Sequence, residues 1–335
     1  MMNKAEFVKL LEKTRIPGEC SDWTPYMKPI EDALMDILPQ QLYRFRSINE
    51  YSLSAFDKDL IFFSRAKDFN DPYDTLISSS SFEAFRQLTP ENLSIIMNFM
   101  GDQLAKGVEI PMNIQNMFPK SSLDQMLEYV KIQVNEAKCG KRKEPNWQEI
   151  FVNLNTVVTN CERDLRNSDS YACFSESIDS MTMWSHYADY HKGFALSYDM
   201  RRLAQTKPNG LRIFPVIYSA TRYESTSLLG WSTAQEVGIP MVHIDQLDKI
   251  KSALYKSLDW EYEKEWRLIN SIDCDSPHPS IEYYPIGIYY GSRISEINKK
   301  ILHNIAVEKG LKEYEMYIDR SSSDYEMKIK PLFIK

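Results

Sequence analysis

Leu42-Tyr43-Arg44-Phe45-Arg46 alternates along its length and is rich in β-formers, so it reads as a short strand. Ser47 is placed to cap a helix over Ile48 to Phe56, with Glu50 three residues on as the second half of a capping box. Asp57-Lys58-Asp59 then turns the chain into the apolar run Leu60-Ile61-Phe62-Phe63-Ser64, which has strand length. Upstream, residues 4–15 and 29–38 carry helical spacing, with Pro17, Pro25 and Pro29 marking the turns. Downstream, Phe69-Asn70-Asp71-Pro72-Tyr73-Asp74 is a turn by composition, since Asn and Asp bond their own backbone and Pro fixes φ. Residues 81–166 carry helical periodicity with almost no β pattern, and the basic run Lys138 to Lys143 reads as loop. β texture returns at Tyr171 to Ser175, followed by a helix from Met181 to Tyr190 with Asp179 or Ser180 as its cap and Gly193 as its stop. Phe194 to Tyr198 and Ile213 to Tyr218 are strands, Ile244 to Leu258 a helix, and 263–270, 286–290 and 327–333 carry strand signals. Helices interrupt the strands irregularly, which predicts an α+β fold rather than a βαβ alternation. The organisation expected is one α+β catalytic domain over 1–335, with a helical N-terminal extension at 1–40 and a helical insertion at 81–166.

Composition narrows the function. The chain has 335 residues and a net charge of −7, from 40 Lys and Arg against 47 Asp and Glu. A net acidic chain is a poor non-specific DNA coat, though a local basic groove is still compatible with it. Only 11 glycines occur, and neither G-x-G-x-x-G nor a Walker loop is present, which argues against a dinucleotide-binding doubly wound sheet and a P-loop NTPase. Cys20, Cys139, Cys161, Cys173 and Cys274 are dispersed without a C-x-x-C, so they read as reduced thiols rather than as a structural zinc site. No H-E-x-x-H and no G-x-S-x-G is found. No apolar run approaches membrane-span length, and the N-terminus lacks the core of a signal peptide. A cytoplasmic protein without a membrane partner is expected.

Three constellations carry candidate chemistry. Arg44 and Arg46 share one strand face; two guanidiniums there either lie at a solvated edge or meet an anion. On a helix, Trp184, Tyr187 and His191 lie on one face, with His186 and Tyr190 beside it, which makes either a core stripe or a pocket wall. In Trp260-Glu261-Tyr262-Glu263-Lys264-Glu265-Trp266-Arg267, a strand from Tyr262 to Ile269 points Glu263, Glu265 and Arg267 one way, whereas a continuation of the preceding helix puts Glu261 and Glu265 at i, i+4 on a solvated face. Two carboxylates so close belong either to an ion network with Arg267 or to a site needing one to stabilise positive charge and one to orient a nucleophile.

Leu42 to Ser47, Phe69 to Tyr73, Cys173 to Ser175, Met183 to Gly193 and Tyr262 to Arg267, taken in order, resemble the bacterial family known as domain of unknown function 2971. That family in turn resembles the ADP-ribosyltransferase fold. The resemblance implies a mixed, mostly antiparallel β core of the split-sandwich kind and an effector acting in phage defence or as a toxin. It implies NAD as substrate and glycosyl transfer as the reaction. Glu265 is then the catalytic carboxylate of an E-x-E pair, and Glu263 orients the acceptor. Arg44, with Tyr43 and Arg46 beside it, grips the pyrophosphate. Ser64 or Ser175 is the middle-strand serine, and Trp184 or Tyr187 stacks on the nicotinamide. Asn70, Asp71 and Arg267 complete the NAD-binding set. The chain departs from the pattern in having no Ser-Thr-Ser triplet. The acceptor, whether protein, nucleic acid or water, is not specified, and the insertion is placed to bind a companion or restraining protein. Two rivals remain: a metal-dependent nuclease or hydrolase built from the carboxylates, His186 and Asn70-Asp71, and a non-enzymatic sensor or interaction module working through residues 81–166.

Overall fold

The computed structural model describes residues 2–18, 20–78, 159–160, 163–164, 166–206, 211–225, 228, 245–270, 276 and 279–332. The expected helical insertion at 81–166 lies outside the described residues, apart from Thr159, Asn160, Arg163, Asp164 and Arg166.

The chain opens with two helices, α1 (Lys4–Lys13) and α2 (Thr24–Ile37). Asn3 caps α1 in a capping box with Glu6. α2 starts five residues before the expected boundary and holds Pro29 in its interior. That proline breaks one backbone hydrogen bond, and the buried stripe Met27, Ile30, Ala33 and Leu34 offsets the loss. These helices are part of the core rather than an appendage, with Phe7 and Leu11 sealed in and Phe7 packed 6.4 Å from Phe214, ring centre to ring centre.

Strand β1 (Gln41–Arg46) follows, as expected. Helix α3 (Glu50–Asp57) is capped by Asn49 and boxed by Ser52, not by the Ser47–Glu50 pair. Ser52 Oγ instead donates to the Ser47 carbonyl at 2.7 Å, so Ser47 belongs to the lead-in. The remaining strands are β2 (Leu60–Phe62), β3 (Ser64–Arg65), β4 (Ser170–Ser175), β5 (Phe194–Asp199), β6 (Leu211–Pro215), β7 (Ile217–Ser219), β8 (Tyr255–Ser257), β9 (Glu265–Asn270), β10 (Ser280–Glu282), β11 (Gly287–Tyr290), β12 (Lys312–Ile318) and β13 (Met327–Leu332). The later helices are α4 (Met181–Tyr187), α5 (Met200–Thr206), α6 (Asp248–Ser252) and α7 (Glu296–Glu308).

Among the described residues the main sheet runs β13-β12-β11-β5-β1-β4-β9-β6, with β3 added to β4. Within it β11 and β12 pair in parallel and every other pair is antiparallel. The fold is therefore α+β with a mixed, mostly antiparallel sheet. β2 pairs with β10, and β7 pairs in parallel with β8, apart from the main sheet.

Two differences from the expected elements matter for the site. The helix expected over Ile244 to Leu258 is only α6, because Tyr255 to Ser257 leave it to pair with Ile217 to Ser219. The strand expected from Tyr262 begins at Glu265. Leu258–Glu263 is a 3-10 helix, and Lys264 turns the corner in the left-handed region at φ 44°.

The pairing of β1 is lopsided. Its six residues are in register with β5 from Gln41 opposite Asp199 to Arg46 opposite Phe194. Against β4 it pairs at one position, Tyr43 opposite Ser175. Further along β4 that edge is taken by β3, with Ser64 opposite Tyr171. The sheet thus opens between β1 and β4, beside Ala172 to Phe174.

Candidate functional site

A cavity of about 390 Å³ lies at this opening, a size ordinary for a small-ligand site. Strand alternation puts Tyr43 and Phe45 on the sheet face of Ser175 and Glu265, and Arg44 and Arg46 on the other. An unbroken sheet keeps such sets apart. Here all of them line one cavity because β1 has left β4. Ser64, Asn70, Tyr187, His186, Cys173, Asp74, Lys256 and Glu263 share the wall.

One end of the cavity is cationic. Arg44 is buried, donates from Nη2 to the Phe62 carbonyl at 2.6 Å, and lies 5.7 Å over the Phe174 ring. Neither Arg44 nor the half-buried Arg46 has a carboxylate partner among the described residues. Burial, and then the neighbouring Arg46, push the Arg44 guanidinium down to about 9. Burial lowers Arg46 in the same way. Burial overturns the solvated-edge reading for Arg44, while Arg46 keeps part of its side chain exposed.

The other end is an ion network built around the left-handed corner at Lys264. The corner swings Glu263 back so that its carboxylate and that of Glu265 meet one ammonium. Lys256 Nζ lies 2.5 Å from Glu263 Oε2, 2.9 Å from Glu265 Oε2 and 3.5 Å from Asp74 Oδ2. Arg267, fully buried, takes Glu265 Oε1 at 2.8 Å on Nε and Asp74 Oδ2 at 2.6 Å on Nη2. Backbone ties hold the corner: Ser175 Oγ donates to the Glu263 carbonyl at 2.6 Å, and the Glu265 N–H donates to Tyr218 Oη at 2.8 Å. Strand β8, paired in parallel with Ile217 to Ser219, carries Lys256 into the network.

The two glutamates are poised differently. Burial opposes ionisation of Glu265, but Arg267 and Lys256 outweigh it and hold the carboxyl far below the usual carboxylate range. Burial dominates at Glu263 and, with the Glu265 charge, raises it against the pull of Lys256. Tyr187 donates its hydroxyl to Glu263 Oε1 at 2.5 Å, and Asn70 Nδ2 donates to the Tyr187 oxygen at 3.3 Å. Burial opposes the charge on Lys256, yet Glu265, Asp74 and Glu263 drive it well above its ordinary value. The Cys173 thiol, buried beside Glu265, is held protonated.

Of the residues singled out in the sequence, Tyr43, Arg44, Arg46, Ser64, Asn70, Ser175, Tyr187, Glu263 and Glu265 reach the cavity. Trp184, Asp71 and Arg267 do not line it. Trp184 is sealed in the core, with its indole N–H on the Ile178 carbonyl at 2.6 Å and its ring edge-on to Phe45, so it has no face to offer a ligand. Asp71 is spent on the Tyr73 N–H at 2.9 Å. Arg267 works behind Glu265. Sequence reasoning missed Lys256 and Asp74. The first was concealed inside an expected helix. The second is the last residue of a recognised turn, and its partner Arg267 lies 193 residues away.

α4 supplies Tyr187 and His186 and ends early. Ser180 caps it, donated to by the Met183 N–H. The expected extension to Tyr190 fails because Asp189, Tyr190 and His191 all adopt positive φ, at 45°, 53° and 69°. Such residues cost about 1–2 kcal/mol each. The turn is tied by Tyr190 N–H to Ser185 O, His191 N–H to Trp184 O and Gly193 N–H to Ala188 O. It delivers Gly193 against β1, where an added Cβ would stand 2.1 Å from the Arg46 carbonyl oxygen.

Residues 183–268 match the model of a family described as Protein of unknown function (DUF2971), a stretch that includes the Met183–Gly193 and Tyr262–Arg267 motifs. The match spans the α4 helix and the Glu263–Arg267 corner. No curated protein and no solved structure matches the chain. No helix among the described residues is long and apolar enough to cross a membrane.

Proposed function

We propose that the cavity binds NAD and breaks its nicotinamide–ribose bond, passing ADP-ribose to an acceptor or to water in the bacterial cytoplasm, as an effector of phage defence or a toxin. The observation that carries this reading is the segregation of charge in one cavity: two guanidiniums without a carboxylate partner among the described residues at one end, two carboxylates of different proton affinity at the other. A planar guanidinium suits phosphate oxygens, so Arg44 and Arg46 hold the pyrophosphate. As the C–N bond breaks, its electron pair leaves with nicotinamide and positive charge develops on the ribose. Glu265, kept ionised, stabilises that charge. Glu263, with raised proton affinity and a hydroxyl neighbour, accepts the proton of the incoming nucleophile.

A divalent-metal site is less well supported, since among the described residues no group of three or more His, Cys, Asp or Glu side chains is placed to hold a metal ion. The test is nicotinamide release from NAD by the purified chain, alone and with cell lysate as a source of acceptors. Release that falls at least 100-fold in Glu263→Gln and in Glu265→Gln supports the reading. Absence of release in every condition, with no NAD binding, refutes it.

A further inference from the structure

Asp74 has a feature that bond cleavage does not use. It lines the cavity yet is only 3% exposed. Its Oδ2 is held by Arg267 and faces Lys256. Its Oδ1, equally buried, has no hydrogen-bond partner among the described residues. Buried acceptors are rarely left unmade, and each exception asks for a reason.

The backbone around it is constrained. Thr75, the next residue, is buried and sits at φ 60°, an outlier for a β-branched side chain. Arg166 clamps the loop, donating to the carbonyls of Pro72 at 3.2 Å and Asp74 at 3.0 Å, and to Thr75 Oγ1 at 3.4 Å. Arg166 ties the loop at three oxygens and the loop keeps a left-handed threonine, while one carboxylate oxygen accepts no hydrogen bond among the described residues. Strain of this kind gathers where a ligand is gripped.

The surroundings select the ligand group. A second cation at Asp74 is opposed by Lys256 and Arg267, which already hold the same carboxylate. An anion is opposed by the carboxylates themselves. A neutral donor remains, and Arg44 and Arg46 in the same cavity ask for an anion elsewhere in the molecule. We infer that Asp74 binds the ligand directly, its Oδ1 accepting a hydrogen bond from a hydroxyl of the ribose beyond the pyrophosphate, the sugar that NAD and ADP-ribose carry and ADP lacks. This deepens the NAD reading and rests on it for the identity of the sugar.

Calorimetric titration of the wild-type chain and of Asp74→Asn with ADP-ribose, ADP and inorganic pyrophosphate tests it. The amide keeps an oxygen for Arg267 and turns a donor toward the ligand's donor. Wild type is expected to bind ADP-ribose at least tenfold more tightly than ADP, a difference of about 1.4 kcal/mol. Asp74→Asn is expected to erase that margin and to leave pyrophosphate within twofold. Equal weakening of all three ligands, or of none, overturns the proposal. So does a wild type that does not prefer ADP-ribose to ADP, a result readable even if the variant does not fold. Nicotinamide release from NAD is followed in parallel. Release without an Asp74-dependent margin sinks the Asp74 assignment alone, and the margin without release sinks the cleavage reading alone.

Discussion

At Lys256 one ammonium answers to three carboxylates. Removing one partner from a buried ion cluster costs about 3–5 kcal/mol, because the remaining charges stay desolvated. Lys256→Met is therefore expected to lose about that much in urea unfolding at neutral pH. The loss shrinks on acidification. Glu263 already has a raised proton affinity, and loss of Lys256 raises it further, so the folded variant holds a proton the unfolded chain has released. Its stability falls as pH rises from about 4.3, the unfolded glutamate value, through that raised value. Glu265 has the opposite sign. Its folded affinity lies below the unfolded one, so its contribution is present above about pH 4.3 and is lost as pH falls toward the folded value. Urea midpoints of the wild type are expected to fall on acidification below that point, with a shallower decline in Glu265→Gln. At this scale the sequence was informative about residue types and weak about partners. Glu263, Glu265 and Arg267 are legible because they lie within five positions. Asp74 and Lys256 join them only through the tertiary fold, and no local spacing encodes that.

Elements were legible where one period ruled, and failed where tertiary pairing overrode it. β1 alternates, β4 and β5 are runs of β-forming residues buried almost throughout, and all three formed as read. Tyr255 to Ser257 carry helical neighbours but are drawn into a strand, and Tyr262 to Lys264 lose strand geometry to a corner that must bring two glutamates together. The α4 exit illustrates the same override, three left-handed residues accepted so that Gly193 can lie against β1. Gly193→Ala is expected to destabilise by about 2–3 kcal/mol, as overpacking against backbone does. The displaced Arg46 backbone also weakens pyrophosphate binding, and thermal unfolding with and without pyrophosphate reads both effects.

The whole molecule places two guanidiniums where burial lowers their charge affinity and gives them no carboxylate in return. Such an arrangement favours ligand over stability. Arg46→Met is expected to leave the melting temperature unchanged or higher in the free protein, while the rise that wild type gains from pyrophosphate disappears. A fall in the free protein's melting temperature with the ligand-induced rise intact refutes that division. The α+β class was readable from the irregular order of strands and helices. The opening in the sheet was not, since it depends on where β1 stops pairing rather than on what β1 contains. That single Tyr43–Ser175 rung has a mechanical meaning. Along the hydrogen-bonding direction the sheet is two stiff panels, β13 to β1 on one side and β4, β9 and β6 on the other, joined at one stitch. A load pulling the panels apart is carried there by one residue pair instead of a ladder. Under tension the backbone pairing is expected to part first along that seam, opening the cavity before either panel loses a strand.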